Sequence, residues 1–165
     1  MAGKSSVKGD KIAYNPPEVD YKIVNLLMQD SRMTLKGIAK QTDLSIDAVK
    51  DHIEKMKRVG VIDRFTIHIN PELLGLPLSS QVYVKLKNIN EKSLKIFMDY
   101  LKEDPQVITL ISILGSFDLF MVIVAKSPVE LEKKKNKIRE EFKELIDNWD
   151  ETVVSQIYKL EEYRF

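Results

Sequence analysis

Apolar residues recur at helical spacing through the first third of the chain, then alternate between helical spacing and runs of strand length. After Pro16-Pro17, which suit the entry to a helix, Ile23, Val24 and Leu27 share one face of a helix predicted over about Val19–Gln29. Leu35, Ile38 and Ala39 define a second helix, and Val49, Ile53 and Met56 a third. Thr42-Asp43-Leu44 breaks the pattern between them, Ser45 is placed to cap the third helix, and Gly60 to end it. Residues 19–60 therefore read as a three-helix unit whose last two helices are joined by a tight turn. The following VIDRFTIHIN alternates as a strand should.

Past the turn-rich Asn70-Pro71 and Leu74-Gly75-Leu76-Pro77, the pattern changes to strand, helix, strand, strand, helix, strand. Leu78–Lys87 alternates. Leu94, Phe97, Met98 and Leu101 follow i, i+3, i+4, i+7 over Glu91–Lys102. Val107–Ile113 and Leu119–Ala125 are apolar strands around Leu114–Asp118. Ser127-Pro128 opens a long helix with Leu131, Ile138, Phe142 and Leu145 on its apolar side and the run EKKKNKIREE as its solvated face. Thr152–Leu160 is read as the last strand. This βαββαβ order is ferredoxin-like, so the fold class is α+β. Such a sheet leaves one face uncovered by its own helices, yet LFMVIVA is apolar on both sides. A second copy of the chain is the expected cover, which predicts a homodimer.

Composition narrows the function classes. Of 165 residues none is cysteine, which excludes disulfides, thiolate metal sites and a cysteine nucleophile. No metal or other cofactor is expected. No apolar run approaches the ~18 residues of a membrane span, and the N-terminus lacks an apolar signal core, so a cytoplasmic protein is expected. Net charge is only +1; residues 1–75 carry 12 Lys/Arg against 10 Asp/Glu. Any affinity for DNA must then come from local clustering or from repetition in an oligomer. Three segments are expected: a flexible tail over 1–15, a helical domain over 16–70, and a mixed domain over 71–165.

Two helices around a tight turn present the second to the major groove of DNA. The stretch from VDYKIVNLLMQDSRM through TLKGIAKQTDLSIDAVKDHIEKMKRVGVI to INPELLG, together with LGSFDLFMVIV, resembles the Lrp/AsnC (feast/famine) regulators. The set Asp20, Arg32, Leu44-Ser45, Gly60-Val61-Ile62 and Asn70-Pro71 carries the likeness. The resemblance implies a winged helix-turn-helix that binds double-stranded DNA. It also implies a C-terminal ligand-sensing domain that assembles dimers, tetramers or octamers, and an effector such as an amino acid. Ser45–Val59 is then the recognition helix, and Thr34, Ser45, Lys50, His52, Lys55 and Lys57 are the candidate DNA contacts. Asp51 departs from the basic character that the family shows before the core isoleucine, and Asp47 and Glu54 dilute the helix further. The loop Leu114, Gly115, Ser116, Phe117, Asp118 matches the family's effector loop. Asp118 could take an effector ammonium group or simply bond its own backbone in a hairpin turn. Thr152 and Ser155 are further candidates for that site.

Two alternatives stand beside a DNA-binding regulator. One is an effector-sensing co-regulator that has lost direct DNA binding, suggested by the three acids. The other is a tetrapyrrole-processing enzyme of the sirohaem decarboxylase kind. That chemistry calls for histidines or arginines around a large pocket, whereas the chain has only two histidines, His52 and His68, and no carboxylate pair, nucleophile–base set or phosphate loop stands out. The expected reading is not an enzyme.

Overall fold

A computed structural model describes residues 14–160 with Tyr163 and Phe165; most of the tail expected over 1–15 lies outside the described residues. The chain forms two compact units, residues 14–68 with Tyr163 and Phe165, and residues 69–160. The boundary drawn from sequence at 70/71 sits two residues later than the one observed.

The first unit holds α1 (Glu18–Gln29), α2 (Leu35–Thr42) and α3 (Ile46–Val59). Each of the last two begins on a hydroxyl cap: Thr34 Oγ1 accepts from Gly37 N and Ser45 Oγ from Ala48 N, both at 3.1 Å. Such caps satisfy N–H groups that have no partner within the helix. Asp43 takes a left-handed conformation (φ 56°) to end α2, and Gly60 (φ 81°) to end α3. Ile23, Ile38, Val49 and Met56 are fully buried, with Ala39 and Ile53 beside them. On α3 Val49, Ile53 and Met56 lie three or four residues apart, and on α2 Ile38 and Ala39 are adjacent, as the sequence pattern placed them.

The strand expected over VIDRFTIHIN does not form. No ladder partner pairs with residues 61–70 among the described residues, and Phe65, Ile67 and Ile69 are 49, 72 and 57% exposed. Alternation marks a surface fit to be a strand, but a strand exists only where another supplies its hydrogen bonds.

In the second unit β1 (Leu78–Leu86), β2 (Val107–Ser112), β3 (Leu119–Ala125) and β4 (Ile146–Val153) make one antiparallel sheet in the order β2-β3-β1-β4, with α4 (Glu91–Glu103) and α5 (Pro128–Glu141) between strands. This is the ferredoxin-like arrangement. Register sorts the residues into two faces. Leu110, Met121 and Val82 lie in one row, Leu119 and Val84 in the next, and these pack with Phe97, Leu101, Leu131 and Ile138 into the core. The opposite face carries the rows Ile111–Phe120–Tyr83–Asp150 and Thr109–Val122–Gln81–Thr152. Tyr83 and Phe120 lie with their ring centroids 5.2 Å apart.

Three sequence expectations are corrected here. The last strand is Ile146–Val153 rather than Thr152–Leu160. Its sequence IDNWDETV is that of a polar edge strand, while the more apolar stretch after it leaves Ile157 and Tyr158 exposed. The last helix stops at Glu141, so Phe142 and Leu145 pack from the turn beyond it. Lys135, inside the run read as a solvated face, is 3% exposed because it falls on the stripe Leu131, Lys135, Ile138. Glu132 and Glu151 both bind its ammonium group.

Candidate nucleic-acid interface

The buried stripe of α3 is Val49, Ile53, Met56. At about 100° per residue, the opposite side carries Asp47, Asp51, Glu54, Lys55 and Arg58, with Lys50 on its flank, and all six are exposed. Three acids and three bases thus occupy the surface that a helix-turn-helix turns toward DNA. The N-terminal half, where recognition helices meet base edges, contains Asp47, Lys50 and Asp51.

The candidate contacts separate sharply. Thr34 and Ser45 are exposed but spend their side-chain oxygens on capping. Lys50 is exposed and makes no ion pair among the described residues. Lys57 pairs with Glu54 at 2.9 Å. The Lys55 ammonium lies 5.1 Å from the centroid of the Tyr14 ring, within cation–π reach. His52 turns inward: its Nδ1 is 2.6 Å from Oδ1 of Asp20, whose side chain is 1% exposed. A carboxylate can only accept, so Nδ1 donates. The Tyr14 hydroxyl donates to the other Asp20 oxygen, and that bond raises the tyrosine above its ordinary pKa, with burial adding to the effect. Asp20 therefore joins the segment before α1 to the middle of the recognition helix.

Sequence reasoning counted Asp20 only as part of a resemblance. Its position three and four residues before Ile23 and Val24, and seven before Leu27, places it in the apolar stripe of α1. A carboxylate in an apolar stripe is the available signal for a buried polar partner.

The loop between β2 and β3 shows a different commitment. Leu114 is fully exposed, Gly115 has a φ of +145°, and Ser116 is exposed. Phe117 packs against Tyr83 with centroids 5.7 Å apart. Asp118 neither stands free nor bonds its own backbone through its side chain. Its Oδ2 accepts from Leu86 N at 2.8 Å and its Oδ1 from Lys85 Nζ at 3.0 Å. The Leu86 N–H lies on the β3 side of β1, two residues past Val84, where the β1–β3 pairing ends at Val84–Leu119 and Asp118 N donates to the Val84 carbonyl. The Leu86 bond first, and Lys85 second, hold the Asp118 carboxyl below its ordinary pKa against a smaller opposing effect of burial. Thr152 is level with Gln81, four residues along β1 from Lys85. At about 3.3 Å per residue that is on the order of 13 Å, and Ser155 lies beyond the strand end. Within one chain the structure does not bring Thr152 and Ser155 to the loop.

Comparison with known proteins agrees with this layout. Residues 17–63 match the winged helix-turn-helix DNA-binding family. The HTH-type transcriptional regulator FL11 of Pyrococcus horikoshii is 30% identical over 114 residues, 69% of this chain and 74% of that protein. E. coli AsnC superposes with a TM-score of 0.79 at 22% identity, covering 92% of this chain and 99% of AsnC. The chain belongs to the Lrp/AsnC family. It is an HTH-type transcriptional regulator, and the relatives it matches are regulators rather than enzymes. A second Lrp/AsnC-like fold is the transcriptional regulator of Neisseria meningitidis solved as its L-methionine complex, with a TM-score of 0.80 at 14% identity over 88% of this chain and 94% of the other. No described helix of this Lrp/AsnC regulator is long and apolar enough to cross a membrane.

Proposed function

We propose that the chain is a sequence-specific DNA-binding regulator, acting in the cytoplasm as a homodimer or larger assembly and modulated by a small molecule of the amino-acid class. One observation carries the DNA-binding reading: α3 is capped at Ser45, anchored by Val49, Ile53 and Met56, and turns Asp47, Lys50 and Asp51 outward from its N-terminal half. This is how a recognition helix is held for the major groove. With Lys50 as the uncommitted cation in that half, one subunit makes few phosphate contacts, so useful affinity depends on a second copy. The exposed Phe65, Ile67 and Ile69, and the sheet row Ile111–Phe120–Tyr83, support that copy as apolar surface in search of cover.

The effector reading rests on the Neisseria regulator's L-methionine complex and on the exposed loop residues Leu114, Gly115 and Ser116 of this chain. Asp118 holds the loop to β1, which leaves the backbone of Leu114, Gly115 and Ser116 to meet a ligand. The acids on α3 favour one second reading, a co-regulator that senses an effector without touching DNA. Electrophoretic retardation of the protein's own promoter fragment separates the two. Retardation that weakens steeply with salt supports direct binding; folded protein that retards nothing at low salt supports the co-regulator.

A further inference from the structure

The N-terminal half of the outward face of α3 is short of donors, the exposed Arg58 lying near the helix's C-terminal end. His52 is held by Asp20, Lys55 lies over Tyr14, and Lys57 and Glu54 neutralise each other. Adjacent to one another in the N-terminal half, Lys50 and Asp51 remain exposed and take no part in an ion pair among the described residues. We propose that Asp51 is a specificity-determining residue that reads cytosine, its carboxylate accepting from the exocyclic N4 amino group in the major groove while Lys50 donates to guanine O6/N7. The proposal rests on the DNA-binding reading and deepens it.

The chemistry selects the base. A carboxylate has only acceptors. Guanine presents two acceptors, N7 and O6, and repels it; thymine presents O4 and a methyl group. Adenine offers its N6 donor next to the N7 acceptor, which faces the second carboxylate oxygen. Cytosine alone presents a donor without an adjoining acceptor of its own. Its guanine partner supplies the acceptors that an ammonium group requires. A Lys–Asp pair is therefore complementary to C·G pairs.

The same carboxylate explains how a weak binder discriminates. Facing phosphate along an arbitrary sequence, Asp51 is repelled and lowers non-specific affinity. Against cytosine N4 the repulsion is replaced by a charge-assisted hydrogen bond. Loss of the preferred base pair at one position of a site lowers affinity roughly 5- to 150-fold, which bounds what this contact contributes to discrimination. Removing Asp51 should then relax specificity and tighten general binding together, whereas removing a phosphate-binding lysine weakens binding to all sequences.

Selection from a pool of randomised duplexes, using the full chain and its Asp51→Asn and Asp51→Ala variants, tests this. Residue 51 is exposed, so both variants keep the fold, which circular dichroism checks. The wild type should enrich C·G at one position of each half-site. Asp51→Asn should replace it there with A·T, since an amide pairs with adenine N6 and N7. Asp51→Ala should weaken the preference at that position alone to what Lys50 keeps for the guanine, while retaining more random DNA. Identical enriched sites for all three proteins would overturn the assignment of Asp51 and leave DNA binding standing. A wild-type chain that retains no duplex at low salt would overturn the DNA-binding reading, and this assignment with it.

Discussion

His52 Nδ1 lies 2.6 Å from Oδ1 of Asp20, so the one histidine of the recognition helix is bound to a carboxylate buried beneath it. That hydrogen bond ties α3 to α1 across a core made otherwise of Ile23, Ile38, Ala39, Val49, Ile53 and Met56. It makes His52 a positioning residue. His52→Ala should lower the stability of the first unit by about 1–3 kcal/mol, because Asp20 stays buried with one hydrogen bond fewer. The salt dependence of DNA binding should not change. Thermal unfolding and a salt titration of binding check the two halves separately.

Ser45→Ala should cost about 1 kcal/mol, the usual effect of removing a hydroxyl cap. The Ala48 N–H then loses its 3.1 Å acceptor at the start of α3. Ser45→Asp should restore the cap and add a charge that suits a helix N-terminus. Urea unfolding of the variants measures both, with the aspartate variant at or near wild-type stability.

Asp118 predicts a pH dependence of the second unit. Its folded pKa is depressed by Leu86 N–H and Lys85. The ionised form therefore stabilises the folded state above the ordinary Asp pKa of about 3.9, and this stabilisation is lost as pH falls through the lower folded value. Asp118→Asn should be less stable than wild type at neutral pH, with the gap closing as pH falls below about 4. The carboxyl is partly exposed, so the gap should be modest. Unfolding curves from about pH 7 down to about pH 2 span that window.

Lys135, 3% exposed, is held by Glu132 and Glu151, and Glu151 also accepts from Trp149 Nε1 at 2.7 Å. Burial alone would lower the lysine pKa, but its two carboxylate partners raise it overall. Glu151→Gln should destabilise the second unit by about 1–3 kcal/mol through loss of a charged hydrogen bond to a buried ammonium. Lys135→Met should be milder than Glu151→Gln, since it removes the buried charge and fills similar space. Denaturant unfolding followed by Trp149 fluorescence reports both.

Where local pattern and packing agreed, the fold was legible in the chain. Ser45, Gly60 and the Val49–Ile53–Met56 stripe placed α3 to within a residue, and LFMVIVA marked β3 as observed. β4 was displaced because an edge strand with polar residues between Ile146, Trp149 and Val153 has little apolar signal. Residues 61–70 carried the alternation of a strand without the partner that makes one. The candidate site was legible at the level of the helix and not of its side chains. Nothing local to His52 or Lys55 shows that Asp20 and Tyr14 engage them, because both partners come from the far end of the first unit's sequence. Lys57 differs, since Glu54 is its neighbour on the same helix. Lys135 was hidden for another reason, its helical stripe being apolar on either side of it.

The most direct test of DNA binding through α3 compares the wild type with Lys50→Ala by fluorescence anisotropy on the promoter duplex across a range of salt. If Lys50 meets phosphate or guanine from each subunit of a dimer, the variant binds more weakly. The slope of log K against log salt should then be shallower by up to about 0.9 for each phosphate that Lys50 neutralises in the wild type. Equal affinity and equal slope for the two proteins would contradict the assignment of α3 as the helix that reads DNA.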